Sequence, residues 1–192
     1  MSEQLRNDGT AWWGRHVTIL AHLYLGDTPT EADARTIGEL VKWKRSMGFD
    51  AEHLIVNLSM EQGAEGGDDS RAYRFKNRWG CIDDYLGVYL PIAHEHGLRV
   101  IVYFNCHWFR STAFGEDHFV LDPAGKAVIF YGSGLGVCPR GPFREWSRRM
   151  AEDLGSYPID GVFLDGPSQH RCFCAACRAE FRACHGRQMP AS

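Results

Sequence analysis

The sequence predicts an α/β fold, the N-terminal half of a (β/α)8 TIM barrel with four β/α units on a parallel sheet. Three observations predict it. Short apolar runs alternate with longer segments of helical periodicity along all 192 residues. That alternation implies parallel strands joined by right-handed crossovers. The polar residues suited to chemistry follow the apolar runs, and so fall on one rim, where α/β barrels and doubly wound sheets both place their sites.

The first strand is His16–His22, short and apolar. The helix after it opens at Thr28-Pro29-Thr30-Glu31, a capping box with proline in the first turn. Ile37, Leu40, Val41, Trp43 and Met47 keep near-helical spacing, and Gly48 supplies a left-handed stop. The second strand is Glu52–Leu58, followed by a polar loop, Ser59–Gly80, of a length usually reserved for function. The second helix runs from about Ile82 to His96 and stops at Gly97. The third strand, Leu98–Asn105, is nearly all apolar, as expected where both faces are covered. Cys106–Gly141 reads as a long loop with a turn at Asp122-Pro123-Ala124-Gly125-Lys126. The third helix opens at Pro142 and carries Phe143, Trp146, Met150 and Leu154; the fourth strand is Ile159–Leu164, and the fourth helix starts near Cys174 and ends at Gly186.

A full barrel has eight units and typically ~250 residues. The expectation is therefore one barrel domain over 1–192, incomplete at its C-terminus. Four parallel strands without a fifth leave an apolar edge, so a homo-oligomer or a further half is the expected partner.

Composition narrows the function. The hydrophobic share is 44% and the formal net charge −3, which gives no basis for a nucleic-acid partner. The arginines between Arg71 and Arg78 are interrupted by Tyr73 and Phe75 and read as a loop. No apolar run reaches the ~18 residues of a membrane helix, and the segment from Met1 to Gly14 lacks the apolar centre of a signal peptide. The expected location is the cytoplasm, where seven cysteines fit metal binding better than disulfides. Aromatic residues make up 12%, six of them tryptophans, which suits stacking on sugars as well as ordinary packing.

Cys172-Phe173-Cys174-Ala175-Ala176-Cys177, with Cys138 upstream, carries the strongest chemical signal. Four thiolates suit a closed, structural zinc site. Buried free thiols or an iron–sulfur cluster are the alternatives, and Cys184 or His185 is a candidate replacement for Cys138. Asp165 ends an apolar strand and precedes Gly166-Pro167, so a carboxylate stands at the mouth of the sheet. It is the candidate catalytic group of a glycosidase, which works with two carboxylates; capping the next turn is the plainer role. His22, Asn57, Asn105 and His107 end the first three strands and are candidates for binding sugar hydroxyls.

The segments Cys138–Arg144, Asp160–Asp165 and Cys172–Phe181 together resemble the hypothetical glycosyl hydrolases of the α-amylase-like barrel superfamily. The cysteine cluster is similar to that of the zinc-containing β-galactosidases. The resemblance implies a glycoside hydrolase in which Cys138, Cys172, Cys174 and Cys177 hold zinc. Where those β-galactosidases place Asn-Glu, this chain has Leu164-Asp165-Gly166. That is closer to fucosidase-like barrels, in which an aspartate there is the nucleophile. The second carboxylate of such families lies in the other half of the barrel. A non-catalytic, zinc-stabilised carbohydrate-binding or interaction module is the alternative function.

Overall fold

The computed structural model describes residues 12, 17–20, 34–54, 84–109, 115–130, 132, 134–166 and 170–191. Its elements are β1 (Ile19–Leu20), α1 (Ala34–Ser46), β2 (Ala51–Leu54), α2 (Tyr85–Glu95), β3 (Arg99–Asn105), β4 (Trp108–Phe109), β5 (Ile129–Phe130), β6 (Gly134–Gly136), α3 (Phe143–Gly155), β7 (Gly161–Asp165) and α4 (Ala175–His185). The main sheet has the order β1-β2-β3-β7 with every pair parallel. Strands are added in one direction without the reversal that defines a doubly wound sheet. This is the strand order of one half of a (β/α)8 barrel.

The register sorts the side chains onto two faces. Ala51 opposes Arg99, Val102 opposes Val162, and Asn105 opposes Asp165. Leu54, Val100, Val102 and Phe104 share the outer face and are buried under the helices. Helix α1 contributes Ile37 and Val41, α2 contributes Leu86, Leu90 and Ala93, and α3 contributes Phe143, Trp146, Met150 and Leu154. Each fully buried large side chain is worth about 1.5–3 kcal/mol. Trp146 belongs to this core, tilted against Phe104 and stacked on Phe143. The inner face, the barrel lumen, carries Ile19, His53, Ile101, Tyr103, Phe163 and Asp165 by the same register. His53 stacks on Phe163 at 4.6 Å and Tyr103 on Phe163 at 6.0 Å.

Two polar clusters tie the layers together. Lys44 of α1 pairs with Glu52 of β2, and both bond the Tyr89 hydroxyl of α2. All three are buried on the outer face, so burial and the adjoining carboxylate of Glu52 push the Tyr89 phenol well above its usual range. At the opposite end of the sheet from Asp165, Asp160 accepts from Arg99 Nη1 (2.7 Å), the Val100 amide (2.8 Å) and His94 Nε2 (2.9 Å). Burial works against its charge, but these three donors outweigh burial and hold the carboxyl below its ordinary value.

The helix stops at Gly48, Gly97 and Gly186 stand where the sequence put them, each with positive φ. Pro142 and Cys174 stand at the N-cap positions of α3 and α4. The turn at Asp122–Lys126 is present, with Asp122 Oδ1 accepting from the Lys126 amide. The stretch from Cys106 to Gly141 is not only a loop. It contains a three-stranded antiparallel sheet of order β4-β6-β5. Its strands are two or three residues long, too short to show alternation. The two glycines of β6 lie under aromatic rings: a Cβ on Gly134 would stand 2.0 Å from Trp108, and one on Gly136 2.0 Å from Phe130.

Candidate functional site

The small sheet builds one half of a cysteine cluster that could hold a metal ion. Phe119 and Val137 form an antiparallel bridge, and the Cys138 amide donates to the His118 carbonyl at 2.8 Å. That fixes Cys138 at the exit of β6. The other half comes with the segment entering α4, where the Phe173 amide donates to the Leu121 carbonyl at 2.8 Å. Arg178 locks this segment from behind. Its Nε donates to the Phe173 carbonyl at 2.6 Å and its guanidinium lies over the Phe173 ring.

The four thiol sulfurs of Cys138, Cys172, Cys174 and Cys177 lie within 4.8 Å of one another. Cys138 Sγ is 3.5 Å from Cys177 Sγ and 3.6 Å from Cys174 Sγ. A tetrahedral ion with metal–sulfur bonds of about 2.3 Å spaces its ligands by roughly 3.8 Å, so the cluster has the dimensions of such a shell. Cys138, Cys172 and Cys174 are buried and Cys177 is partly buried, among Val120, Leu121 and Val128. Burial pushes the Cys138 thiol up to about 11 and drives Cys177 upward as well. At Cys174 burial also opposes the thiolate, but the Cys177 amide and the neighbouring thiols outweigh it and lower the group. An incoming cation would therefore displace protons from part of the shell. The donor set is all sulfur and complete, which suits a structural ion and leaves no position for a reacting water.

The second group of residues stands at the C-terminal ends of β3 and β7. Asp165 ends β7 on the inner face, with its side chain one-third exposed. The Tyr103 hydroxyl donates to Asp165 Oδ2. His107 Nδ1 donates to the Asp165 carbonyl at 3.2 Å and stands 3.9 Å from Oδ2. Asn105, opposite Asp165, is buried. Its Nδ2 donates to the Trp108 carbonyl, and its Oδ1 accepts from the amides of His107 (3.2 Å) and Trp108 (3.4 Å). Asn105 thus shapes the turn that delivers His107. Gly166 completes the arrangement: at φ +64°, a Cβ there would lie 2.0 Å from His107 Nδ1. The neighbouring Cys106 is pushed up to about 11 by burial and by the Asp165 carboxylate.

The cysteine cluster and the rim are joined through the backbone. The Val137 amide, one residue from Cys138, donates to the His107 carbonyl at 3.0 Å. Of the residues singled out by sequence, the four cysteines come together, and Asn105, His107 and Asp165 come together beside them. His22 and Asn57 lie outside the described residues. Cys184 is exposed at the far end of α4. Sequence reasoning missed Tyr103 as the partner of Asp165. The signal was there: once Asn105 and Asp165 are paired, a residue two positions back on β3 shares the inner face.

No family model matches the sequence, and no curated protein matches it. Solved structures do. An α-L-fucosidase isoenzyme 2 from Paenibacillus thiaminolyticus matches 88% of this chain with a TM-score of 0.64 and 16% identity. The β-galactosidase of the psychrophilic Marinomonas ef1 matches 88% with a TM-score of 0.57 and 19% identity. This chain spans about a quarter of each, 26% and 25% of their lengths. A hypothetical protein from Ruminiclostridium thermocellum ATCC 27405 matches 80% of this chain and is itself covered to 78%, with a TM-score of 0.53 and 12% identity. At these identities the likeness shows a common fold.

Proposed function

We propose that this chain is a barrel-type domain of a glycoside hydrolase, cleaving O-glycosidic bonds with Asp165 as one of the two carboxylates and with a structural zinc held by Cys138, Cys172, Cys174 and Cys177. One observation carries the reading: a partly exposed carboxylate on the lumen face, at the C-terminal end of the fourth parallel strand. Barrel enzymes place their chemistry on that rim. Similarity to glycosidase structures supports the same class.

Within this reading Asp165 acts on the anomeric centre or on the leaving oxygen, and Tyr103 holds the carboxylate towards the lumen. His107 stands beside it to meet a sugar hydroxyl, on the turn that Asn105 holds. His22 and Asn57, assigned by sequence to the ends of the first two strands, are further hydroxyl-binding candidates. The zinc would brace the rim through Cys138, Val137 and His107, without taking part in bond cleavage.

The test is Asp165→Asn on 4-nitrophenyl α-L-fucoside, β-D-galactoside and α-D-glucoside. Wild type should release nitrophenol from at least one, and the variant should do so about 10³-fold more slowly. A wild-type protein inert on the whole panel goes against hydrolysis. One observation favours the second reading, a non-catalytic sugar-binding module: a glycosidase works with two carboxylates, and among the described strands of the main sheet Asp165 is the one carboxylate at a C-terminal end. Calorimetric binding of the free sugars without turnover by wild type would select that reading.

A further inference from the structure

Among the described residues, seven large hydrophobic side chains are exposed: Ile19, Trp43, Met47, Val88, Ile129, Val162 and Leu164. Five of them lie on the two open sides of the half-barrel. Val162 and Leu164, 41% and 54% exposed, stand on the outer face of β7, the last strand of the sheet. They line a cavity of about 510 Å³ with Phe143, Ala151 and Leu154 of α3. Helix α4, which follows β7, has no buried residue and leaves this cavity open. Ile19 lies on β1, the strand at the other end of the sheet.

Trp43 and Met47 belong to that same side. Gly38 of α1 faces Ile92 of α2, where an added Cβ would be 3.9 Å away. At about 100° per residue, Leu40 and Trp43 fall on the opposite flank of α1, and Met47 follows them one residue past its end. In a closed barrel each helix has a neighbour on both flanks. Here α1 has α2 on one flank and an apolar stripe on the other.

We infer that two copies of this chain close an eight-stranded barrel, with β7 of each copy pairing in parallel with β1 of the other about a two-fold axis along the barrel. The occupant is specified by the edges themselves. The edge of β7 calls for a parallel strand followed by a helix with an apolar flank, and β1 with α1 is such a unit. Eight strands is also the number at which side chains just fill a barrel interior. The five exposed side chains hold on the order of 500 Å² of open apolar surface per copy, about 1,000 Å² for a pair. The lumen faces, with a second open cavity of about 580 Å³ that also reaches Ile101 and Gly161, extend this surface towards the ~1,200 Å² at which specific interfaces begin. This inference stands apart from the hydrolase reading, since it requires no catalysis.

Sedimentation velocity on the 192-residue chain tests it. Wild type should sediment as a dimer. Leu164→Glu on one edge and Met47→Glu on the other should each raise the dissociation constant at least tenfold, whereas Ile129→Glu, on the small sheet, should leave it unchanged. Circular dichroism of each variant reports folding, and Leu164→Ser and Met47→Ser replace any glutamate variant that fails to fold. A monomeric wild type overturns the inference, as would occur if a different segment covers the edges. Oligomers larger than two, or loss of association from one edge alone, overturn the closed two-fold arrangement.

Discussion

His107 and Gly166 show how narrowly the rim is built. Gly166 combines a left-handed φ with direct contact to the imidazole, so a methyl group strains the backbone and strikes the ring at once. Gly166→Ala should cost about 2–3 kcal/mol in urea unfolding, from both the backbone and the displaced ring. Asp160 makes a different prediction. Its carboxyl is lowered in the folded state, so its contribution is complete well above the ordinary aspartate value of 3.8. The contribution fades as pH falls through that value towards the lowered folded one. Asp160→Asn should therefore cost about 1–2 kcal/mol at neutral pH, with Arg99 and His94 partly exposed to solvent. The variant should lose stability less steeply than wild type between about pH 5 and pH 2, as thermal unfolding across that range would record. The sequence places His94 in the last turn of the second helix and marks no partner for it. Its bond to Asp160 spans 66 residues, and separations of that kind carry no local pattern.

At the scale of elements, the buried Lys44–Glu52–Tyr89 group joins α1, β2 and α2. Lys44→Met would leave the buried Glu52 without its cation, a loss of about 3–5 kcal/mol. Adding Glu52→Gln, which keeps an acceptor for the Tyr89 hydroxyl, should recover most of it; a double-mutant cycle in urea measures the difference. The cysteine cluster joins the small sheet to α4 in a comparable way. Cys138→Ser should reduce bound zinc, measured by elemental analysis. Chelation of the wild type should raise amide exchange at Val137, Cys138 and Phe173 before it reaches the amides of β3. The strands and helices of the main sheet were legible because their runs are long and their caps specific, as at Gly97 and Pro142. The cysteine cluster was legible because its spacing is local apart from Cys138. The small sheet was not, because its order depends on rings folding over Gly134 and Gly136, a tertiary fact. The buried ion pair was equally hidden, since Lys44 and Glu52 stand eight positions apart on different elements and no local pattern joins them.

For the whole molecule, the order β1-β2-β3-β7 separates a barrel from a doubly wound sheet, a distinction that strand–helix alternation leaves open. If two copies close the ring, folding and association are linked, and the midpoint of thermal unfolding should rise with protein concentration. That rise should vanish in Leu164→Glu. Differential scanning calorimetry over a hundredfold range of concentration would detect it.

The sulfur cluster has a topological consequence of its own. Cys138 and Cys174 are 36 positions apart, and the stretch between them contains α3 and β7. An ion held by both ends would act as a clasp around that stretch. By the chain-entropy relation for a cross-linked loop, a clasp of this span removes about 4 kcal/mol of unfolded-state freedom. A disulfide would do the same, but it is lost to reductant, whereas a metal clasp would open when protons take the thiolates or a chelator takes the ion. The strand that bears Asp165 lies inside that stretch, so its permanence would be set by how much free metal surrounds the protein.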